Sequence, residues 1–385
     1  MKLLFFNTEY PPLGGGAGNA NYYIFKEFSK FPDLKIDFIT SSVDKDYHLE
    51  KMGENINIHR LPIGKNNQNL HYQSQKELLV YAWKAFSFAK KLIKNSPEKY
   101  DLSHSFFTVP CGYISYLLKR KYGIPYIISL RGSDVPGYSE RFSFIYRLIT
   151  PLITKIWKNS FGVVSNSQGL KDLALKANDK QKIGVIYNGI AIDEFKPAFE
   201  KRNHDELKIL CVSRLTARKG INYLIEAAAI LLQKNLKIKL ELIGEGDQAE
   251  NLKKLAEEKN IKNQVDFLGR IEHANLPDYY QKADVFALPS LNEGMSNTML
   301  EALAAGLPLV ATDTGGTREL LIENQNGFII KIKDSQDTAD KIEKLINDSD
   351  LKEKMSVASR HLAEKMSWEN VAKEYFNLYK SVNNR

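Results

Sequence analysis

The stretch Asp284-Val285-Phe286-Ala287-Leu288-Pro289-Ser290-Leu291-Asn292-Glu293-Gly294-Met295-Ser296-Asn297-Thr298-Met299-Leu300-Glu301-Ala302 contains the repeating unit of the fold and the densest group of polar candidates. A short apolar run, 284–288, stops at Pro289, which has no amide hydrogen to extend a strand ladder. A polar loop follows, and Ser296 or Asn297 is suited to cap a helix. The apolar run does not alternate, so it reads as a strand buried on both faces, as in parallel sheets. Backbone N–H groups of Gly294 to Asn297 would point at an anion in front of the helix. Glu301, about a turn into the helix, can accept hydrogen bonds from vicinal hydroxyls such as those of a ribose, and Glu293 can meet a second polyol.

The same rhythm extends in both directions. Residues 2–6, 35–39, 56–60, 101–106, 126–130, 162–165 and 183–186 read as buried strands, with helices at 22–29, 77–94 and 139–158 among them. Further strands are expected at 208–213, 237–243, 265–268, 307–311 and 327–330, with helices at 222–233, 248–259 and 299–305. Residues 335–385 read as helices only. Strands alternating with helices predict α/β architecture with two doubly wound parallel sheets in tandem. At roughly 100–200 residues per domain, 385 residues accommodate two. The segment 196–206 is polar, begins at Lys196-Pro197 and falls where the rhythm restarts, so it is the expected linker between residues 1–195 and 207–365.

Composition excludes several classes. With 43% hydrophobic and 26% charged residues the chain is neither disordered nor fibrous. Its two cysteines, Cys111 and Cys211, fit neither a zinc spacing nor a disulfide framework, which makes a reducing, cytoplasmic setting the expectation. The first apolar run is too short for a signal-peptide core, and none approaches the ~18 residues of a spanning helix. Residues 1–200 carry 27 basic and 18 acidic side chains, whereas residues 201–385 carry 27 and 28, so the net +8 belongs to the first half. A basic half suggests an anionic partner or a phosphorylated substrate.

Open α/β sheets bind ligands outside the carboxyl ends of their strands. After the first strand, Gly14-Gly15-Gly16-Ala17-Gly18 lets backbone approach an anion in front of a helix. After residue 130 come Arg131 and Asp134, and His104 lies at the end of another strand; these are acceptor-side candidates. After residue 213, Arg214, Arg218 and Lys219 crowd a helix N-terminus, where the macrodipole disfavours cations unless an anion such as a diphosphate joins them. Gly244-Glu245-Gly246-Asp247-Gln248-Ala249 fits the dinucleotide pattern G-x-G-x-x-A, with Asp266 twenty residues beyond Gly246. No nucleophile–base triad and no metal set is evident; the triplets Asp44-Lys45-Asp46 and Asp348-Ser349-Asp350 lie in polar turns.

With these residues in view, the chain resembles the family 4 retaining glycosyltransferases (glycosyl transferases group 1) over nearly its whole length. The resemblance rests on E-x7-E, Glu293 to Glu301, continuing into Ala302-Leu303-Ala304-Ala305-Gly306-Leu307-Pro308, and on Ser213-Arg214-Leu215 with Lys219-Gly220. Ile186-Tyr187-Asn188-Gly189-Ile190 and Ser367-Trp368-Glu369 also fit. It implies a GT-B architecture, two Rossmann-like domains facing a central cleft, with a last helix, 366–385, crossing back to the N-terminal domain. It also implies transfer from a nucleotide-diphosphate sugar with retention, without metal or other cofactor. Glu301 would hold the ribose, Arg214 and Lys219 the diphosphate, and Glu293 the donor sugar, aided by Gly294, Met295 and Ser296. Gly15 and Gly16 would approach the donor from the N-terminal domain, which receives a glycan, lipid-linked or small-molecule acceptor. Surface polysaccharide or glycolipid assembly is the expected setting. Many members carry His where this chain has Arg131, which cannot act as an acid or base near neutral pH.

Two other classes remain open on sequence. One is a nicotinamide-dependent oxidoreductase built on Gly244, Gly246, Ala249 and Asp266. The other is a non-catalytic nucleotide-sugar-binding protein, and epimerisation of a nucleotide sugar is a related outcome. Residues 139–158 mix Phe142, Phe144, Tyr146, Leu148, Ile149, Leu152, Ile156 and Trp157 with four cations, which suits peripheral docking on an anionic membrane, although Pro151 is expected to interrupt the helix. Nucleic acid is not an expected partner.

Overall fold

The computed structural model describes residues 1–67, 70, 73–138, 143–202, 206–292 and 295–383. The chain divides into two compact units, Met1–Gly189 with Trp368–Arg385, and Ile190–Ser367.

The first unit begins with β1 (Lys2–Phe6), α1 (Gly16–Phe28), β2 (Lys35–Ser41), β3 (His48–Met52), β4 (Ile56–Leu61), α2 (Gln75–Asn95) and β5 (Leu102–Phe106). It continues through α3 (Tyr113–Tyr122), β6 (Tyr126–Leu130), α4 (Ser143–Asn159), β7 (Gly162–Ser165), α5 (Gln168–Ala177) and β8 (Ile183–Val185). These make an eight-stranded sheet in the order β3-β4-β2-β1-β5-β6-β7-β8. All pairings are parallel except β3 with β4. The inner strands are buried because both faces of the sheet are covered. On one side α2 and α3 bury Tyr81, Ala85, Ile114 and Leu118 against Leu4, Phe6 and Ile39. On the other, Phe25 of α1 packs edge-on against Phe5 and Phe38, with ring centroids 5.1 and 4.8 Å away.

The second unit contains β9 (Leu207–Val212), α6 (Ile221–Gln233), β10 (Ile238–Ile243), α7 (Ala249–Glu258), β11 (Val265–Gly269), α8 (Leu276–Lys282) and β12 (Val285–Leu288). It closes with α9 (Asn297–Ala304), β13 (Leu309–Thr312), α10 (Thr317–Leu320), β14 (Gly327–Ile330), α11 (Ser335–Asn347) and α12 (Ser349–Lys365). Its sheet is wholly parallel, in the order β11-β10-β9-β12-β13-β14. The last helix, α13 (Trp368–Asn383), belongs to the first unit, where Tyr375 and Tyr379 are buried. Trp368 stacks on Tyr23 at 5.5 Å, and a Cβ at Gly189 would meet its ring at 2.6 Å.

The chain passes between units at Gly189–Ile190, ahead of the polar 196–206 segment. Within that segment Arg202 is anchored in the second unit, where its Nη1 donates to Gly306 O at 2.7 Å and its Nη2 to Ala305 O. Two local expectations need correcting. β3 was not foreseen: it is a polar edge strand whose three central residues are exposed, so no apolar run marks it. Pro151 does not interrupt α4; beyond it Ile153, Ile156 and Trp157 bury along one face of the continuing helix, and Trp157 Nε1 donates to Thr108 Oγ1 at 2.8 Å. Tyr146, Ile156 and Trp157 are therefore core residues rather than membrane-facing ones, and residues 139–142 lie outside the described ones. Both cysteines are free and buried. Among the described residues no helix is long and apolar enough to cross a membrane.

Candidate active site

In the second unit the strand order reverses between β9 and β12, which are adjacent in the sheet but separated in sequence by β10 and β11. Such a switch point leaves a crevice where the loops after the two strands diverge. The loop after β9 holds Arg214, Arg218 and Lys219; the loop after β12 leads to α9 and Glu301.

The two loops are fastened together by main chain. Leu291 N donates to Arg218 O at 2.8 Å, and Gly220, in the left-handed region at φ +62°, lies so close to Pro289 that a Cβ would meet its carbonyl oxygen at 2.3 Å. Only glycine fits there. Arg214 is exposed, whereas Lys219 is buried in the turn Ala217–Lys219, directly before α6.

Gly244 and Gly246, after β10, buttress this arrangement. A Cβ at Gly244 would lie 1.9 Å from Ser213 O, and one at Gly246 would lie 2.2 Å from Leu215 O. Leu215 N donates to Glu245 O and Gln248 N to Leu215 O, each at 2.9 Å. The glycines are thus spent on seating the Arg214 segment, not on a pyrophosphate. Asp266 stands at the start of β11 and pairs with Lys239 at 2.9 Å, away from the strand's carboxyl end. This corrects the dinucleotide reading of Gly244, Gly246, Ala249 and Asp266.

Ser296 caps α9, its Oγ accepting from Met299 N at 3.4 Å; Met295 is half-buried beside it, and Glu293 and Gly294 lie outside the described residues. Glu301 is buried on the first turns of α9. Tyr280 of α8 donates its hydroxyl to Glu301 Oε2 at 2.8 Å, and His273 Nε2 lies 3.1 Å from Glu301 Oε1. A carboxylate offers about four lone-pair sites, so two remain for a ligand's hydroxyls. The hydrogen bond to Glu301, together with its charge, raises the His273 pKa against the opposing effect of burial. His273 was missed in the sequence. It sits in a short turn before α8, and only the tertiary approach to Glu301 reveals it; its position shortly after β11 was the available signal.

The first unit treats its strand-end polar residues differently. Gly15 caps α1, and its N–H donates to Glu9 Oε2 at 3.2 Å, so a carboxylate of the protein already faces that helix end; Gly16 is the first helical residue. Burial raises the Glu9 pKa against the backbone hydrogen bonds of Gly15 and Gly18. His104 is wholly buried, with Nδ1 2.6 Å from Tyr379 Oη and Nε2 2.7 Å from Ser129 Oγ. Burial, then the nearby Arg131 charge, holds its pKa well below the ordinary value. Arg131 lies over the Phe106 ring at 3.5 Å, with Nη1 donating to Asn188 Oδ1 at 2.8 Å and Nη2 to the Tyr375 hydroxyl at 3.0 Å. Asp134 is buried: Oδ1 accepts from Arg131 N at 3.0 Å and Gly132 N at 3.1 Å, and Oδ2 from Thr108 N at 2.9 Å and Thr108 Oγ1 at 3.1 Å. His104 and Asp134 direct their polar atoms into the unit's own interior, whereas Arg131 is half-buried and its Nε has no hydrogen-bond partner.

Among the described residues no group of three or more His, Cys, Asp or Glu side chains is placed to hold a metal ion. Asp44 instead accepts from Ser42 Oγ and Asp46 N, and Asp348 caps α12.

Residues 192–362 match the family described as glycosyl transferases group 1, and residues 14–194 match glycosyltransferase family 4. The chain is 30% identical to an uncharacterised glycosyltransferase of Methanocaldococcus jannaschii, covering 99% of this chain and 98% of that protein. It is a family 4 glycosyltransferase, an enzyme of the retaining class. A D-inositol 3-phosphate glycosyltransferase of Corynebacterium urealyticum is 33% identical, covering 99% and 96%. The glycosyltransferase's fold is GT-B. It superposes on sucrose-phosphate synthase of Thermosynechococcus elongatus with a TM-score of 0.82 at 21% identity, covering 100% and 99%. Anabaena HepE, solved in complex with UDP, aligns at 0.74 and 18%, covering 99% and 100%.

Proposed function

We propose that the second unit binds a nucleoside-diphosphate sugar at the β9–β12 switch point, and that the enzyme transfers its sugar to a glycan, lipid-linked or small-molecule acceptor held by the first unit. The observation that carries this reading is the pair of fastened loops, one bringing an exposed Arg214 and the turn of Lys219, the other a helix with the part-satisfied carboxylate of Glu301. Arg214 and Lys219 take the diphosphate oxygens, and Glu301 takes the ribose hydroxyls. Ser296, Met295, Gly294 and Glu293 serve the donor sugar. When the bond from the anomeric carbon to the diphosphate breaks, the bonding pair leaves with the phosphate and its negative charge grows. Fixed cations beside that oxygen stabilise the transition state more than the ground state, the condition for raising kcat.

The basic first unit orients toward an anionic membrane carrying a lipid-linked acceptor, in surface polysaccharide or glycolipid assembly. Supporting this, α2 exposes Leu79 and Trp83 beside Lys76, Lys91 and Lys94, and α4 exposes Leu148 beside Arg147. The test of the donor reading is thermal shift of the full chain against UDP-, GDP- and ADP-sugars. One of them stabilises the wild type, by about 2.7 kcal/mol at a hundredfold excess over Kd, and none shifts Arg214→Ala comparably. Equal shifts in both proteins would remove the diphosphate assignment. Equal sedimentation with anionic and neutral vesicles at low salt would remove the membrane reading.

A further inference from the structure

We infer that His273 is a positioning residue for the donor's ribose, aiming Glu301 through a direct hydrogen bond. The inference rests on the proposed ribose role of Glu301 and extends it. Three observations carry it. Nε2 of His273 stands 3.1 Å from Glu301 Oε1, and since a carboxylate only accepts, Nε2 bears the proton. The ring is fixed from the side by Phe195, edge-to-face at 5.5 Å, and Phe195 packs in the same way on Tyr280 at 5.4 Å. The His273 side chain is nevertheless 48% exposed, beside a Glu301 side chain only 8% exposed. Glu301 is therefore gripped at both oxygens, by a buried Tyr280 and by a solvent-open imidazole. A buried structural pair has no need of an open member. An open donor on one oxygen restricts the carboxylate to one orientation while leaving its remaining lone pairs facing outward.

The charged groups facing His273 are Glu301 from α9 and Glu194 from the segment entering the unit, and both favour the imidazolium. Tyr280, from α8, faces the other oxygen of the same carboxylate. A protonated ring always donates from Nε2, whereas a neutral ring also samples the tautomer that presents a lone pair to Glu301. The grip is consequently complete at low pH and loosens as pH rises through the His273 pKa, which lies above the ordinary 6.5.

The experiment is isothermal titration of the full-length enzyme from pH 5.5 to 8.5, using whichever of UDP, GDP and ADP binds tightest, and its 2′-deoxy counterpart. Wild type prefers the ribonucleotide, and the preference falls about two- to threefold across the upper half of this range. His273→Ala loses about five- to tenfold in ribonucleotide affinity, keeps the deoxynucleotide within twofold, and shows no pH dependence. His273→Gln, whose amide can donate to Glu301, recovers most of the loss and stays flat with pH. A structural role alone would lower the melting temperature and weaken both nucleotides equally, which would overturn the inference. So would a wild-type preference and pH profile retained in His273→Ala. A wild type that does not distinguish the two nucleotides would instead remove the ribose role of Glu301, and with it this extension.

Discussion

His104 and His273 each meet a tyrosine-supported polar partner, yet their pKa values move in opposite directions. His104, in the first unit, is completely buried, donates or accepts only within the protein, and has the cation of Arg131 nearby and no carboxylate hydrogen-bonded to it. His273, in the second unit, is half open and faces the carboxylate of Glu301. The same contrast runs through their neighbours. Both Nη atoms of Arg131 and both oxygens of Asp134 are spent on Asn188, Tyr375, Thr108 and backbone, whereas Arg214 stays exposed beside the switch point. Residue type at a strand end therefore does not by itself separate a polar group used inside the protein from one left open to solvent.

The comparison breaks most visibly at the arginines. Arg214→Ala should lower kcat by ~10²–10³-fold, the loss of one preorganised donor to developing charge, while its melting temperature stays near wild type. Lys219→Ala should lower kcat by a similar factor, with some loss of stability because the residue is buried. An Arg214→Ala enzyme with wild-type turnover would place the first unit's internal cation and this exposed one in the same class. Asp134→Ala should act in the opposite manner. It strips partners from the N–H groups of Arg131, Gly132 and Thr108 and costs about 2–3 kcal/mol in urea unfolding. Unchanged stability would mean that the loop holds without it.

Glu301→Ala should raise the donor KM by ~10–100-fold, equivalent to ~1.5–3 kcal/mol of charge-assisted hydrogen bonding, with a smaller change in kcat. A collapsed kcat at constant KM would move Glu301 from the ribose to the reacting centre.

The smallest effect separates the histidines by pH. Because the folded His104 pKa is lowered well below 6.5, the unfolded chain binds more protons just under that value, so its contribution is present above pH 6.5 and lost as pH falls. The slope is at most about 1.4 kcal/mol per pH unit, and His104→Gln should flatten unfolding between pH 5.5 and 7.5. His273 has the reverse sign: its raised pKa stabilises below 6.5 and the contribution is lost as pH rises through the folded value. An identical low-pH slope in His104→Gln would assign acid sensitivity elsewhere.

Much of the fold was legible in the sequence because doubly covered parallel strands tend to be near-continuous apolar runs, as in Val285–Leu288, buried throughout. β3 was illegible for the converse reason: an edge strand paired on one side needs no apolar signal. The positions of Arg214, Lys219 and Glu301 after β9 and within α9 followed from the strand-end rule. The fates of His104 and Arg131 did not, since their contacts with α13 depend on Tyr379 and Tyr375, residues some 240 positions or more away in sequence. Gly244 and Gly246 matched a dinucleotide pattern because any backbone-to-backbone approach demands glycine, whether the neighbour is a pyrophosphate or Ser213 and Leu215.

The central claim is that a nucleoside diphosphate sits between the Arg214 loop and Glu301. Its most direct test is the dissociation constant of the best-binding nucleoside diphosphate for full-length wild type, Arg214→Ala and Glu301→Ala, with unliganded melting curves recorded alongside. The predicted result is a loss of about tenfold or more in each variant while Arg214→Ala melts like wild type. Wild-type affinity in both variants would contradict the account.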